Sequence, residues 1–365
     1  MDRSKWEYKK LGELCDKGSS NIAQNKIEDI TGKYPLYGAS GYVKGIDFYH
    51  QEKPYIGIVK DGSGVGRTNL YPAKSSLLGT MQYIIPKDGC EIGFLLYVIK
   101  GLHLENYKTG AAIPHIYFKD YGKSIVPFPP LADQQRIVAE LDCLNEMIAL
   151  KQEQLKEFDK LAQSIFYDMF GDGNWKSRKI KDIAKVKIGP FGSSLHQYDY
   201  ITGGTPLVNP IHMINGKIVV DNDFTITEEK KTELTSYLLK TNDIVFGRRG
   251  DIGRCALVTD KENGYLCGTG SMFVRFDIDI DPTYALCELS SKEIKKYLLD
   301  NAKGATMLNI NGGIVENIPI PLPPLVLQQQ FAEKIQAIEA QKELVKKSIA
   351  ETQQLLDSRM DYYFD

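Results

Sequence analysis

The chain has 365 residues, of which 42% are hydrophobic, and a formal net charge of −2. This length suits two domains with connecting helices, and the near-neutral charge excludes a uniformly basic nucleic-acid surface, so such binding would need local positive clusters. Because the sequence has no secretory leader, no run of eighteen apolar residues and no C-x-x-C pair among its six cysteines, we expect a cytoplasmic protein without membrane or metal partners.

The first half contains a buried-strand pattern followed by a glycine-rich turn. YIGIV at 55–59 precedes KDGSGVGR at 60–67, and a polar, aromatic loop begins at Tyr37. Glycines allow close approach of a ligand, and arginine offers a fork for phosphate or guanine. The turn does not match a phosphate-binding loop, and a simple tight hairpin would also explain its glycines. The candidate DNA contacts in this half are Tyr37, Ser40, Lys60, Ser63, Arg67, Thr80 and Gln82.

A long helix is predicted next. The sequence runs from Pro130 to Phe170 without another proline or glycine, and Gly171 follows, which are the expected helix boundaries. Apolar residues alternate at spacings of four and three, as in a coiled coil. The seam comprises Ile137, Leu141, Leu144, Ile148, Leu155 and Phe158, with Lys151 as a charged interruption.

The second half repeats the strand and turn. DIVF at 243–246 precedes GRRGDIGR at 247–254, and GPFGSSL near Gly189 is a further candidate loop. Asn309 and Asn311 could read adenine or could cap turns. The candidate DNA contacts in this half are Ser193, Ser194, Arg248, Arg249, Arg254, Thr269, Ser271, Asn309 and Asn311.

The second half also ends in a predicted helix with a seam. Its apolar positions are Phe331, Ile335, Ile338, Val345, Ile349 and Leu356, with Lys342 as the charged interruption. Each seam lysine would reduce stability unless it sets the register or meets an acidic partner.

An internal duplication relates the two halves. With an offset of 194, residues 110–135 and 304–329 share 9 identities in 26, including both Pro-Pro-Leu-x-x-Gln-Gln helix starts. Upstream, Trp6 matches Trp175, and Gly79-Thr80 matches Gly268-Thr269 at an offset of 189. The changing offset indicates insertions in the second copy, in loops where recognition surfaces diverge.

These patterns predict a mixed α/β (α+β) fold with an internal pseudo-two-fold repeat. The predicted segments are a globular domain over 1–128, a spacer helix over 129–170, a second globular domain over 171–322 and a second spacer helix over 323–365. The domain-helix-domain-helix order allows the helices to pair antiparallel and hold the domains apart. The alternative is that each helix packs only on its own domain.

No catalytic residue is predicted. The five histidines lack metal-binding spacing, and neither G-x-S-x-G nor H-E-x-x-H occurs. Asp281 with Glu293 and Lys295 could suggest a nuclease, but helix-like surroundings with several lysines favour a solvated helical face. The sequence therefore predicts recognition without a reaction.

On these motifs the chain resembles the specificity subunits of type I restriction-modification systems over essentially its full length. The doubled helix starts at 127–136 and 321–330, the Gly-Ala segments before them, YGASG at Tyr37 and GPFGSSL with GTPLV near Gly189 carry the resemblance. It implies two target-recognition domains that each read half of a split, asymmetric DNA site, and helices that fix the gap and dock two methyltransferase subunits, with restriction subunits joining through them. S-adenosylmethionine, Mg²⁺ and ATP would belong to those partners, with no cofactor in this chain.

One departure from the family and two rival classes remain. The chain lacks the extra N-terminal conserved helical segment of some members, so closure of a circular arrangement must depend on Tyr362, Tyr363 and Phe364. The rivals are a single-chain enzyme that modifies DNA and a coiled-coil scaffold with no DNA role. The missing catalytic motifs oppose the first, and the recurring arginine turns oppose the second.

Overall fold

The computed structural model of the chain describes residues 3–110, 113–171, 173–191, 194–220, 223, 225–302 and 309–365. The strands are β1 (Glu7–Lys10), β2 (Cys15–Ser19), β3 (Tyr34–Gly38), β4 (Gly41–Ile46), β5 (Tyr55–Val59), β6 (Thr68–Tyr71), β7 (Ser76–Leu77), β8 (Met81–Pro86), β9 (Ile125–Phe128), β10 (Ser177–Lys179), β11 (Ala184–Ile188), β12 (Tyr200–Ile201), β13 (Thr205–Val208), β14 (Met213–Ile214), β15 (Lys217–Ile218), β16 (Thr225–Ile226), β17 (Ile244–Gly247), β18 (Cys255–Leu257), β19 (Leu266–Cys267), β20 (Ser271–Phe276) and β21 (Pro319–Pro321). The helices are α1 (Leu11–Leu14), α2 (Ile92–Gly101), α3 (Phe118–Tyr121), α4 (Leu131–Phe170), α5 (Glu228–Glu233), α6 (Pro282–Leu289), α7 (Lys292–Asn301), α8 (Gly312–Glu316) and α9 (Leu325–Phe364).

The chain forms two compact units. Unit 1 comprises Met1–Gln154 with Val345–Asp365, and unit 2 comprises Leu155–Leu344. Each of the two 40-residue helices therefore contributes one part to each unit. In the described part of the chain, no helix is long and apolar enough to cross a membrane.

Unit 1 is built on an antiparallel sheet with the strand order β2-β8-β5-β6. Every residue of β5 is buried, as expected for a short apolar run at the centre of a sheet. A second sheet has the order β4-β3-β7, with β3 and β7 parallel, and β1 pairs with β9. The core joins Ile56 and Ile84 of the main sheet to Phe94 and Leu95 of α2.

Unit 2 repeats this arrangement. Its main sheet has the order β11-β20-β17-β18, β13 pairs with β19 in parallel, and β10 pairs with β21. Ile244 and Phe246 pack with Val274 and Leu298 in its core. The unit adds the β14-β15 hairpin and the edge strand β12 beside β16, which accounts for insertions in the second copy. The duplication predicted from the sequence is therefore a duplication of sheet topology.

The strand register corrects one detail of the predicted repeat. Ile58 pairs with Gln82 in unit 1, and Phe246 pairs with Met272 in unit 2. Counting from these pairs, Thr80 corresponds to Gly270 rather than to Thr269. The Gly-Thr identity misled the alignment because the structurally equivalent residues differ in type.

In unit 1 the ends of the two long helices pair antiparallel. The first four seam residues of α4 are at most 9% exposed and share a core with Leu356 and Tyr363 of α9. Lys151 donates through Nζ to Thr352 Oγ1 at 2.8 Å, and Tyr363 donates to Glu140 Oε2 at 2.6 Å. Because the α9 residues rise in number as the α4 residues fall, the helices run in opposite directions.

Unit 2 contains the other parts of both helices, paired in the same sense. Phe166 lies 5.6 Å from Phe331 between ring centroids, in a cluster with Phe170 and Tyr284. Further along, Lys342 Nζ contacts Asp159 Oδ1 at 2.7 Å and Glu339 Oε1 at 2.6 Å. Of the remaining seam residues, Leu155, Phe158 and Ile335 of unit 2 and Val345 and Ile349 of unit 1 are half-buried, and Ile338 of unit 2 is buried. The predicted seams and antiparallel pairing are confirmed, and the seams also share apolar clusters with α2 in unit 1 and with α6 in unit 2.

The end of α9 completes unit 1. Arg3 Nη1 donates to the carbonyl oxygen of Tyr362 at 2.6 Å, the Trp6 and Tyr363 rings stack at 6.4 Å, and the Phe364 ring lies 5.8 Å from Phe94. The last turn of α9, which carries Tyr362, Tyr363 and Phe364, therefore packs on N-terminal residues and α2 within unit 1.

The repeated glutamines of the helix starts have a structural role that the sequence did not predict. Gln134 accepts from the Glu91 backbone N–H through Oε1 at 2.8 Å and donates to the Pro129 carbonyl at 2.9 Å. Gln328 accepts from Asp281 N–H at 2.9 Å and donates to the Pro323 carbonyl at 2.8 Å. Glu91 and Asp281 are the N-caps of α2 and α6. Each buried glutamine therefore ties a long helix to the start of the helix that covers its sheet.

Candidate nucleic-acid interface

Each unit presents a glycine-rich hairpin turn after the central strand of its main sheet. The turns close through equivalent backbone bonds, from Val59 N–H to the Arg67 carbonyl at 2.9 Å and from Gly247 N–H to the Arg254 carbonyl at 2.8 Å. Gly62, Gly64 and Gly66 in the first turn have positive φ, as do Gly250 and Gly253 in the second. The glycines are therefore required by the turn itself.

Three segments meet at the base of each turn with the same hydrogen bonds. In unit 1, Lys60 N–H donates to the Thr80 carbonyl and the Lys60 carbonyl accepts from Ile116 N–H, both at 3.0 Å. In unit 2, Arg248 N–H donates to the Gly270 carbonyl and the Arg248 carbonyl accepts from Ile310 N–H, again at 3.0 Å. We call these two places the junctions. They are equivalent backbone frames that carry different side chains.

In the junction of unit 1, the charged side chains are paired with one another. Lys60 forms an ion pair with Asp61, whose Oδ1 lies 2.7 Å from His115 Nδ1. Burial alone would raise the pKa of Asp61, but hydrogen bonds from Lys60 and His115 and their charges lower it below its usual value. At neutral pH Asp61 is therefore an anion held between two basic groups.

The junction of unit 2 places arginines and an asparagine at the corresponding positions. Arg248 is only 5% exposed, its Nε donates to Asn309 Oδ1 at 3.3 Å, and its guanidinium lies 5.2 Å from the centroid of the exposed Phe191 ring. Among the residues that the structure describes, Arg248 Nη1 has no hydrogen-bond partner. Burial, and then the charge of the exposed neighbour Arg249, lowers the pKa of Arg248.

The arginines that close the turns have their own intramolecular partners. Arg254 donates to Asp251 Oδ2 through Nε and Nη2 and to the Pro210 carbonyl through Nη1. Arg67 is exposed and donates to the Ala39 carbonyl at 3.3 Å. This bond brings Arg67 beside the Tyr37 loop, where Ser40 is exposed. Arg254 is therefore a turn-holding residue, while Arg67 keeps an accessible guanidinium.

Two of the predicted contact residues have their side chains inside the fold. Gln82 is 1% exposed and its amide donates to the Tyr121 hydroxyl, and Ser271 is completely buried. Both had been expected to face a groove from the start of a strand. Both strands begin with residues that are buried on both faces, since Met81, Tyr83 and Met272 are buried as well, so neither polar side chain lies on the surface of the fold.

The other candidates occupy varied positions. Ser63, Thr80 and Arg249 are exposed, whereas Tyr37, Ser194 and Thr269 are half-buried. Ser193 lies outside the described residues. Asn311 caps α8 by accepting from Ile314 N–H at 3.1 Å, which is the alternative considered for it. Asn309 instead belongs to the junction.

Sequence reasoning missed Phe191, Asp61 and His115 as junction residues. His115 could have been found, because it corresponds to Asn309 in the repeat. Phe191 lies far from Arg248 in sequence, and no periodicity connects them. Their contact depends on a tertiary approach that the sequence pattern does not encode.

The trio that could have suggested a nuclease has structural partners. Asp281 caps α6 by accepting from Thr283 N–H at 2.8 Å. Lys295 contacts Asp251 at 3.3 Å, and Glu293 accepts from the Tyr167 hydroxyl at 3.3 Å. The three side chains therefore serve three separate contacts.

Known proteins of one kind match this chain along most of its length. The family model described as type I restriction modification DNA specificity domain matches residues 3–159 and again residues 172–354. The MjaVIII specificity subunit of a type I restriction enzyme from Methanocaldococcus jannaschii is 23% identical, over 94% of this chain and 88% of its own. The MjaIX specificity subunit of the same organism is 22% identical over 70% of this chain and 64% of its own.

Solved structures agree at the level of the fold. The S subunit of the type I restriction-modification system from M. genitalium aligns with a TM-score of 0.59 at 16% identity, covering 99% of this chain and 96% of its own. A chain from a structural study of complex assembly and conformational transition in the type I system aligns at 0.61 and 17% identity, covering 98% and 96%. The resemblance inferred from the doubled helix starts is confirmed. Both halves match one family model, and the chain belongs to the type I restriction-modification DNA specificity family.

Proposed function

We propose that this chain is a specificity subunit that recognises a bipartite, asymmetric DNA site, with one half-site read by each unit. One observation carries the proposal. The two junctions have the same backbone hydrogen bonds but opposite chemistry, with Lys60, Asp61 and His115 in one and Arg248, Arg249 and Asn309 in the other. A duplicated frame with divergent side chains is what two different half-sites require, since base edges are distinguished by their donor and acceptor patterns.

The repeated helix starts support docking of two copies of one partner. Leu131 is 48% exposed and its counterpart Leu325 is 37% exposed. Gln135 and Gln329, identical in both copies, are also exposed. Since their buried neighbours already fix the helices, these exposed identities fit two equivalent surfaces for two methyltransferase subunits, through which restriction subunits would join.

The chemistry belongs to the partners in this proposal. Methylation and cleavage, with S-adenosylmethionine, Mg²⁺ and ATP, are assigned to the other subunits, and this chain contributes recognition in the cytoplasm. Its buried cysteines support a reduced, unreactive state, because burial raises the pKa of Cys255 to about 11 and that of Cys15 to about 12.

Selection from a random duplex library tests the proposal. The chain is co-purified with its modification subunits, and bound duplexes are enriched and sequenced. We expect two short fixed blocks of different sequence, separated by a constant number of unspecified base pairs. A single continuous block, or no enrichment by a stably assembled complex, would contradict the proposal that each unit recognises one half-site.

A further inference from the structure

We propose that Arg248 reads a guanine in one half-site, and that Asn309 and Phe191 hold its guanidinium ready for that base. The inference rests on the proposed function and adds a specific base and two positioning residues. It begins from the geometry of one side chain. Arg248 is nearly buried, yet within the described residues its Nη1 has no hydrogen-bond partner. A buried polar group without a partner is costly, so an acceptor is expected to reach it.

Contacts at Nε and at one face of the planar group hold the Arg248 guanidinium, and they leave the edge that carries the two terminal nitrogens. Nε donates to Asn309 Oδ1, and the Phe191 ring covers one face. Nη1 has no hydrogen-bond partner among the described residues, and the side-chain hydrogen bond found there for this guanidinium comes from Nε. Two parallel N–H groups on one edge match the O6 and N7 acceptors of guanine.

Other arginines of unit 2 lack this arrangement. Arg254 uses Nε and Nη2 on Asp251 and Nη1 on a carbonyl. Arg275 uses Nε and Nη2 on the buried Asp243. Both guanidinium groups are therefore engaged in hydrogen bonds within the protein. Arg248 is the one of these three whose terminal edge is left for a ligand.

The Phe191 ring is expected to affect which ligands reach the Arg248 guanidinium. Its ring is 56% exposed although it lies against the guanidinium, so water covers its outer face in the free chain. A base that approaches the fork must pass this ring, which therefore limits access by phosphate and favours a planar partner. We expect Phe191→Ala to uncover the cation and raise affinity for random duplex.

The unit 1 junction provides a contrast. Lys60 occupies the backbone position equivalent to Arg248 but pairs with Asp61, which also contacts His115. A single ammonium on a carboxylate offers no planar fork. The guanine contact is therefore specific to unit 2, and the half-site read by unit 1 is expected to be unaffected by changes at Arg248.

The test measures base preference at every position of the split site. Complexes containing the native chain, Arg248→Lys, Arg178→Lys or Asn309→Ala are assembled with the modification subunits and bound to duplexes with single base-pair changes. Arg248→Lys keeps the charge and removes the fork, so we expect preference for one G·C pair to fall by roughly 5- to 150-fold. Asn309→Ala should weaken the same preference less, and Arg178→Lys, at an exposed arginine of β10 outside the junction, should leave it intact.

The outcomes separate this inference from the proposed function. If the native complex selects no split site, the proposed function itself fails. If a split site exists but neither half contains a G·C pair, or if Arg248→Lys leaves all preferences unchanged, the guanine assignment alone is overturned. Equal weakening on every duplex would identify Arg248 as a phosphate contact and also overturn it. Retained preferences in the other half-site would show that the variants are folded, and Asn309→Ala provides the test if Arg248→Lys does not assemble.

Discussion

At the scale of single residues, hydrogen-bond partners decide what a side chain contributes. Arg248, Arg254 and Arg275 have the same guanidinium group. Arg254 forms an ion pair with Asp251 and Arg275 forms one with Asp243. Composition and motif cannot distinguish these cases, because each arginine lies in or directly beside a strand of the main sheet. The distinction lies in tertiary contacts that bring Asn309 and Phe191 to only one of them.

The glutamine pairs of the helix starts allow a matched test at this scale. Gln134 is fully buried and makes three hydrogen bonds, whereas its neighbour Gln135 is exposed. Gln134→Ala leaves the Glu91 N–H without its acceptor, so we expect the free energy of unfolding to fall by about 1–3 kcal/mol. Gln135→Ala should change it by less than about 0.5 kcal/mol. Urea unfolding of the two variants measures this, and equal losses would contradict the structural role of Gln134.

A second residue-scale prediction concerns pH. Burial, and then the charge of Glu293, raises the pKa of Glu288 from 4.5 to about 7. Because the folded pKa lies above the unfolded one, the contribution of this group is most favourable below pH 4.5 and declines as the pH rises to 7. Glu288→Gln should therefore stabilise the protein at pH 8, by at most about 3 kcal/mol and less with solvent screening.

At pH 4.5 the same substitution should have little effect. Thermal unfolding at both pH values measures the difference, with the exposed Glu333→Gln as the control. If Glu288→Gln raised the free energy of unfolding equally at the two pH values, proton binding by Glu288 could not be the cause of the increase.

At the scale of elements, the long helices were predictable because the residues that define their ends and their apolar face are close together in the sequence. Proline and glycine mark the ends of α4, and the alternating spacing of apolar residues marks the seam face. The partners of that face were predictable only in part. The sequence indicated antiparallel pairing, but the contacts of the seam with α2 of unit 1 and with Tyr284 of unit 2 arise from the fold of the sheets.

The two seam lysines are expected to respond oppositely to removal of charge. Lys151 is half-buried and reaches a hydroxyl and a carbonyl, with no carboxylate in these contacts. Burial alone would lower the pKa of Lys342, but its hydrogen bonds to Asp159 and Glu339 raise it. Lys151→Met should stabilise the protein by about 1 kcal/mol, whereas Lys342→Met should destabilise it by a similar amount because Asp159 loses its cation and Glu339 loses one of two, the other being Lys217. Denaturant midpoints measure both, and changes of the same sign would contradict this account of the seam.

At the scale of the whole molecule, duplication was the most secure prediction from the sequence. The identical helix starts revealed it, and the sheet orders β2-β8-β5-β6 and β11-β20-β17-β18 repeat it in three dimensions. The junctions could not be assembled from sequence in full. The residues that differ between the copies, such as Asp61 and Arg249, are the ones that an identity search passes over.

The helices are expected to act as a ruler for the target. Four residues inserted after Gln152 lengthen α4 by about 6 Å, or roughly one turn. We expect the gap between the half-sites to change while the half-site sequences stay the same. The same four residues inserted in the exposed segment at Glu52 and Lys53 should leave the gap unaltered. Sequencing of selected duplexes measures the gap, and altered half-sites in the helix variant would show that the helix does more than set distance.

The most direct measurement is a map of modified adenines across the genome of cells that express this chain together with a methyltransferase subunit of a type I system. The account predicts one split motif, with two unlike half-sites and a constant gap, modified wherever it occurs. The same cells carrying a variant of Arg248 should lose preference in one half-site only. A continuous motif, or no motif despite a stable complex, would contradict the claim that the two units read two halves of one target.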